Sequence, residues 1–249
     1  MKINTNIPAL GAQRSLDKTQ EELANRLLKL TTGYKINRAA DDAAGLAISE
    51  KLRSQVSGIG QEATNELDLI SRNQVAEGGL GSTSDALQRM RELTVQSANG
   101  TLTDQDKELI NKEVAQLQEQ IDYNAQTTQF NTKQVIPNAT TTDLGIDKGS
   151  IDIVSDPQAA LEKFDAAINM VSEKRADLGA ETNRSEHKIN GLLIAQENTM
   201  AAESRIRDAD MAFEMMHLVR SQILEKSGVI MAGHANVQPK TALGLLGGA

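Results

Sequence analysis

The stretch LRSQVSGIGQEATNELDLI, residues 52–70, carries Leu52, Val56, Ile59, Ala63, Leu67 and Ile70 at steps of three and four. That spacing gathers the six on one side of an α-helix, as the seam of a coiled coil requires. No strand-like alternation competes with it. The pattern recurs outward in both directions. Leu16, Leu23, Leu27 and Leu30 precede it; Ile110, Val114, Leu117 and Ile121 follow. Further on come Leu161, Phe164, Ile168, Val171 and Leu178, then Met216, Val219, Ile223 and Ile230. Only Pro8, Pro137, Pro157 and Pro239 interrupt the chain, so residues 9–136 and 158–238 lack the strongest helix breaker. The expected fold class is mainly α: four or five long helices in an antiparallel coiled-coil hairpin or bundle, with one small β-hairpin region.

Composition agrees and excludes several functions. Tyr34, Tyr123, Phe130, Phe164 and Phe213 are the only aromatics among 249 residues. Aromatics usually supply core bulk, so narrow helix seams filled by aliphatic side chains are expected. Without cysteine there is no disulfide, thiol nucleophile or zinc–cysteine site. His187, His217 and His234 lack the spacing of a zinc helix. Gly78-Gly79-Leu80-Gly81-Ser82 lacks the Lys-Ser/Thr ending of a phosphate loop and follows a helix, not a strand. Asp41 and Asp42 read as helix-capping carboxylates rather than an acid–base pair. No catalytic, cofactor-binding or metal residue is expected, and the chain does not read as an enzyme.

The longest apolar runs, at residues 191–195 and 229–233, are far too short to span a bilayer. Residues 1–14 lack the apolar run of about 7–15 residues in a secretory signal peptide. A cytoplasmic chain, or one exported without such a signal, is the expectation. Net charge is −8, distributed as +4 on residues 1–40, −13 on 41–204 and +1 on 205–249. An acidic body disfavours nucleic acid as a partner.

Punctuation divides the helices. Thr32-Gly33 and residues 37–42 mark a joint, and Asn99-Gly100 marks a stop. Thr103-Asp104-Gln105-Asp106 has the N-cap and acidic first turn of the next helix. Residues 130–156 combine Pro, Gly, a Thr triplet and short β-branched runs at 134–136 and 151–154, which predicts a turn-rich hairpin region. Ser155 or Asp156 then caps a helix with Pro157 at its first position. Gly78, Gly79 and Gly81 each cost a helix about 1 kcal/mol relative to Ala. A tolerated soft spot is their first reading, close approach of a neighbouring backbone the second. At the ends, residues 1–35 and 210–249 are amphipathic single helices with nothing local to pack on. Such helices are marginal in water. Their natural partners are each other and copies of themselves, so they are expected to be disordered in the monomer and ordered on assembly.

Several blocks carry a family resemblance. INTNIPALGAQRSL (3–16), NRAADDAAGLAISEKLRSQVSGI (37–59), LQRMRELTVQSANGT (87–101) and TTQFN (127–131) resemble bacterial flagellin in order and spacing. SRIRDADMAFE (204–214) and ANVQPKTALGLL (235–246) resemble its C-terminus. The hook–filament junction protein, or an unrelated coiled-coil adaptor, is the alternative; the paired terminal blocks resemble the filament subunit more closely. Three departures stand out. The family's LSSG-x-RI reads Leu30-Thr31-Thr32-Gly33-Tyr34-Lys35-Ile36, its Phe-Asn-Gly turn reads Phe130-Asn131-Thr132, and Arg207 stands where many members have an acid.

The resemblance implies a short flagellin without the variable outer domain, secreted through the flagellar export apparatus and polymerised into the extracellular filament that drives motility. It implies an inner tube of residues 1–40 with 205–249 and an outer core of 41–204, with the β-hairpin near 130–156. The implied partners are copies of itself, an export chaperone, filament cap and hook-associated proteins, and Toll-like receptor 5. Gln88, Arg89, Leu93 and Glu113 are the implied receptor and inter-subunit contact, Arg89 donating several hydrogen bonds and Leu93 giving an apolar anchor on the same helix face. Phe213, Met216, Ile223, Leu243, Leu245 and Leu246 are the implied chaperone and polymerisation segment.

Overall fold

The computed structural model describes residues 6–147, 151 and 153–246, with side chains as far as Val237. Each helix begins where a short polar side chain can take up the first free backbone N–H groups. Asn6 accepts from the Ala9 amide at 3.1 Å and opens α1, Ile7–Thr32. Asp42 accepts from the Gly45 amide at 2.9 Å and opens α2, Ala43–Ser97. Thr103 and Asp106 form a reciprocal capping box on α3, Asp104–Thr127. Asp156 accepts from the Ala159 amide at 3.1 Å ahead of α4, Pro157–Arg207. Asp210 accepts from the Ala212 and Phe213 amides at 2.9 and 3.1 Å and opens α5, Met211–Leu246. Of the two adjacent acids, only Asp42 is a helix cap. Asp41 instead closes the preceding joint, accepting from the Asn37 and Arg38 amides at 3.0 and 2.9 Å. Those amides, Arg38's first, hold its carboxyl below the usual aspartate value.

The chain forms two units. One comprises residues 58–195. Its core is Leu80, Leu87, Met90 and Leu93 of α2, Val114 and Ile121 of α3, and Phe164 and Val171 of α4. The seam of α2 departs from expectation at one place. Leu67 is 53 % exposed. The inward position falls to Glu66, which preserves the alternation of three and four between Ala63 and Ile70. Its carboxylate meets Lys188 of α4 at 2.8 Å and is held below the usual glutamate value by it. Two turns on, buried Asn73 donates to Glu181 at 3.1 Å. This part of the seam is therefore polar, a feature that favours one register over slipped alternatives.

The hairpin is smaller than expected. β1, Gln129–Phe130, pairs antiparallel with β2, Lys133–Gln134, around a two-residue turn. Among the described residues no strand follows β2. The β-branched residues of 135–156 serve burial rather than strand pairing, with Ile136 at 6 % exposure and Ile146 and Ile153 at 0 %. Polar ties hold these turns down. Buried Gln118 donates to the Ile146 carbonyl at 2.7 Å, the Thr141 hydroxyl donates to Asp122 at 2.9 Å, and Ser97 donates to the Ile153 carbonyl at 3.2 Å. The turn of the hairpin stays tight without glycine: Asn131 and Thr132 take φ of +50° and +64°. For a β-branched residue that conformation is strained.

The three helical glycines divide. A Cβ on Gly78 or Gly81 meets open space, so these are tolerated soft spots. One on Gly79 falls 2.8 Å from Thr128 Oγ1 and 2.9 Å from Ile136 Cδ1. That is close approach, by side chains rather than a backbone.

The other unit comprises the described residues before 58 and those from 196 onward. Here α1 lies along α5, with no residue of α1 buried. α1 ends because Gly33 adopts φ +75° and donates its N–H to the Lys29 carbonyl at 2.9 Å. The two interhelix joints of this unit clasp each other. The Lys35 amide donates to the Arg207 carbonyl at 2.7 Å, and the Ala209 amide to the Gly33 carbonyl at 2.9 Å. Arg207, the departure from the family pattern, donates to Glu50 at 2.8 Å and lies 4.6 Å over the Tyr34 ring.

Candidate functional site

α5 buries an unusual set of residues. Among its described side chains Glu214, Leu218 and Ser221 are the buried ones, at 4 %, 8 % and 6 % exposure. Further along, Gly228 lies against Leu16 of α1, 3.4 Å from where its Cβ would be. Toward α1, then, α5 presents Glu214, which pairs with Arg26, and Gly228. The apolar stripe expected to form a seam points elsewhere: Met216 is 65 % exposed, Val219 48 %, Ile223 62 % and Ile230 61 %. Phe213 is exposed beside it, its ring 4.4 Å from that of His217 in an edge-on contact. The helical backbone reaches Leu243, Leu245 and Leu246, whose side chains lie outside the described residues. An exposed aliphatic stripe along a helix already paired on its other side needs a second partner.

In residues 58–195, Gln88 and Arg89 are exposed on α2 and Glu113 on α3. Arg89 donates to Glu113 Oε1 from Nε and Nη2 at 3.2 and 3.0 Å, and to Glu92 from Nη1 at 3.3 Å. These carboxylates, Glu113 foremost, hold its guanidinium above the usual arginine value. Leu93 does not join the patch. It is 2 % exposed and packed in the core, because α2 turns its 87, 90 and 93–94 positions inward and leaves Arg89 at the rim. The expected apolar anchor is a core residue. Sequence reading missed Glu92, although its i,i+3 relation to Arg89 is a standard helix-pair signal.

Beside Ile136 an open groove of about 530 Å³ has a floor of Ala76, Leu80 and Leu178 and a rim that includes Lys174 and Glu181. Lys174 donates to the Asn138 carbonyl across one end. Among the described residues no three acids or histidines are grouped to hold a metal ion, and no helix is long and apolar enough to cross a membrane.

Long capped helices, one minimal hairpin and an apolar stripe left open describe a helical structural protein with one helix face free for a partner. Residues 3–141 match the bacterial flagellin N-terminal helical region, and residues 161–246 the bacterial flagellin C-terminal helical region. The chain belongs to the bacterial flagellin family, as a short form of 249 residues. It is 42 % identical to a flagellin of Halalkalibacterium halodurans, over 99 % of this chain and 100 % of that one. It is 41 % identical to the flagellar filament 33 kDa core protein of Treponema phagedenis and 38 % to a flagellin of Bacillus subtilis, with the same coverage. These similarities favour a structural filament subunit over the junction-protein and adaptor alternatives.

Proposed function

We propose that the filament is built with residues 1–40 and 205–249, which carry α1 and α5, as an inner tube and residues 41–204 as the outer core. The observation that carries this reading is the exposed stripe of Phe213, Met216, Val219, Ile223 and Ile230. Completing the burial of each such half-exposed side chain is worth about 1 kcal/mol, and neighbouring copies are the cover a homopolymer has at hand. The net charges agree, with −13 on the part assigned to solvent and mildly basic ends inside. Before assembly the same stripe needs another cover. An export chaperone bound along α5, including Leu243, Leu245 and Leu246, supplies it during passage through the flagellar export apparatus. Gln88, Arg89 and Glu113 contact neighbouring copies and, on free monomer, Toll-like receptor 5. Filament cap and hook-associated proteins meet the two ends of the polymer.

Sedimentation with short filament seeds tests the assembly reading. Parent chain pellets, whereas Met216→Ser with Ile223→Ser stays in the supernatant with unchanged helix content in residues 58–195. Pelleting of the double variant at the parent's level overturns the reading. For the chaperone, deletion of residues 210–249 abolishes binding in calorimetry; unchanged affinity removes that partner from α5.

A further inference from the structure

The sequence holds two Asn–Gly steps, Asn99-Gly100 and Asn190-Gly191. Both asparagines are exposed, yet their backbones differ completely. Asn190 and Gly191 lie well inside α4, where the glycine amide is committed to the helix ladder. Asn99 and Gly100 lie in the turn between α2 and α3. There the Asn99 side-chain carbonyl accepts from the Thr101 amide at 3.2 Å. The Gly100 amide donates to no acceptor among the described residues.

This contrast carries a chemical consequence. In a turn of this kind the asparagine side chain folds over the backbone that follows it, toward the next amide nitrogen. The hydrogen bond from Thr101 draws electron density from the carboxamide and makes Cγ more electrophilic. Glycine at the next position puts no Cβ in the way of attack. We propose that Asn99 is a site of spontaneous succinimide formation and deamidation, a slow covalent modification that converts it to aspartate and isoaspartate, while Asn190 is protected.

The reaction balances with water alone. Solvent base removes the Gly100 amide proton, and the nitrogen attacks Asn99 Cγ. The new N–Cγ bond closes a five-membered imide as the Cγ–Nδ2 bond breaks, and the nitrogen leaves as ammonia after taking a proton from water. Water then opens the imide. Attack at Cγ gives aspartate; attack at the former backbone carbonyl gives isoaspartate, whose chain runs through the side chain. Either product adds one negative charge beside the C-terminal end of α2, where the free carbonyls are already negative. Isoaspartate also lengthens the turn that sets α3 against α2. Older chains therefore differ from new ones at the joint that carries the Thr103 cap.

Incubation of the full chain in mildly alkaline buffer, followed by peptide mass mapping and isoaspartate detection, tests this. Conversion of amide to acid is expected at Asn99, at least about tenfold faster than at Asn190, the factor set by having to open a helical turn first. Gly100→Ala is the second arm. A Cβ there meets nothing within 4 Å and the backbone angle is not left-handed, so the fold is retained while the attack is hindered. Its conversion at Asn99 should fall by a comparable factor with an unchanged circular dichroism spectrum. Equal rates at the two asparagines, no conversion at Asn99, or a rate indifferent to Gly100→Ala would each overturn the assignment.

Discussion

Arg26 and Glu214, 188 positions apart in sequence, meet through Nη1 and Oε2 at 2.7 Å, with side chains 29 % and 6 % exposed. This ion pair joins α1 to α5 near the start of α5, where a carboxylate also faces the favourable end of the helix dipole. Removing Arg26 leaves a nearly buried carboxylate without its cation. Arg26→Ala should therefore weaken the α1–α5 pairing by about 1–3 kcal/mol, read as a lower urea midpoint for filament dissociation. Glu214→Gln, which leaves no unpaired anion, should cost less. Equal midpoints for parent and Arg26→Ala would show that the pair contributes nothing.

Thr132 is a β-branched residue in the left-handed region, with φ +64°. Left-handed backbone costs a residue with a Cβ about 1–2 kcal/mol, and the extra freedom glycine gains on unfolding returns about 0.5–1 kcal/mol of that. Thr132→Gly should thus stabilise the unit of residues 58–195 by a few tenths to about 1 kcal/mol. Chemical denaturation monitored by circular dichroism reads the change. Destabilisation would mean that the hydrogen bond from Thr132 Oγ1 to the Asn131 carbonyl, 2.6 Å, outweighs the strain.

The same denaturation assay separates the helical glycines. Gly78→Ala and Gly81→Ala add a Cβ in open space and remove a flexible residue from α2, so each should stabilise by up to about 1 kcal/mol. Gly79→Ala gains the same propensity but forces Thr128 and the buried Ile136 to shift, at about 1–3 kcal/mol. Its net effect should be neutral to destabilising. A stabilised Gly79→Ala would show that Thr128 and Ile136 yield freely.

Helix existence and helix starts were legible because both are local. Spacing of three and four names the seam, and Asp42, Thr103 and Asp156 each cap within three residues of themselves; Asn6 and Asp210 cap in the same way, but no helix start was read from them. What failed to read was which face each helix buries once alternatives of similar hydrophobicity exist. Leu67 is a better core residue than Glu66 on any scale, yet Glu66 has Lys188 opposite and Leu67 has solvent. The β-branched residues around Ile146 and Ile153 look like strand formers until α3 and the end of α2 provide Gln118 and Ser97 to satisfy their turns. On α5 the apolar stripe is real. On the proposed reading its partner lies outside the single chain, and the described side chains that α5 buries are Glu214, Leu218 and Ser221. Arg89 and Glu113 were brought together by resemblance to a family, not by spacing.

The capping box at α3 predicts a pH signature. Thr103, through its hydroxyl first and its amide second, holds the Asp106 carboxyl below the usual aspartate value. A carboxyl depressed in the folded state binds fewer protons there than in the unfolded chain. Its contribution is therefore complete above about pH 4 and is lost as pH falls through the lowered folded value. Asp106→Asn should lack that part of the pH dependence: it should be less stable than the parent above about pH 4, with the gap closing in strong acid. Thr103→Ala, which removes the cap itself, should cost about 1 kcal/mol at neutral pH as well. A parent–Asp106→Asn difference that persists unchanged to strongly acid pH would contradict the assignment.

Arg89 and Leu93 offer the sharpest separation of surface from core. Arg89 has its side chain 51 % exposed and makes its ion pairs with groups that are themselves exposed. Surface pairs of this kind are worth about 0–1 kcal/mol, so Arg89→Ala should leave the unfolding midpoint close to that of the parent. Leu93 is buried in a close-packed cluster with Leu87 and Met90, and Leu93→Ala should cost about 2–5 kcal/mol. Function should divide the other way. If the Arg89–Glu113 patch touches receptor and neighbouring copies, Arg89→Ala lowers receptor signalling by monomer and slows seeded growth at full stability. Arg89→Lys restores charge without the planar fork and should recover only part of either. Leu93→Ala should lose signalling only to the extent that it loses structure, and recover it when assayed at lower temperature. Receptor signalling and filament growth at parent levels in Arg89→Ala would remove the patch from both roles, leaving it as a tie between α2 and α3.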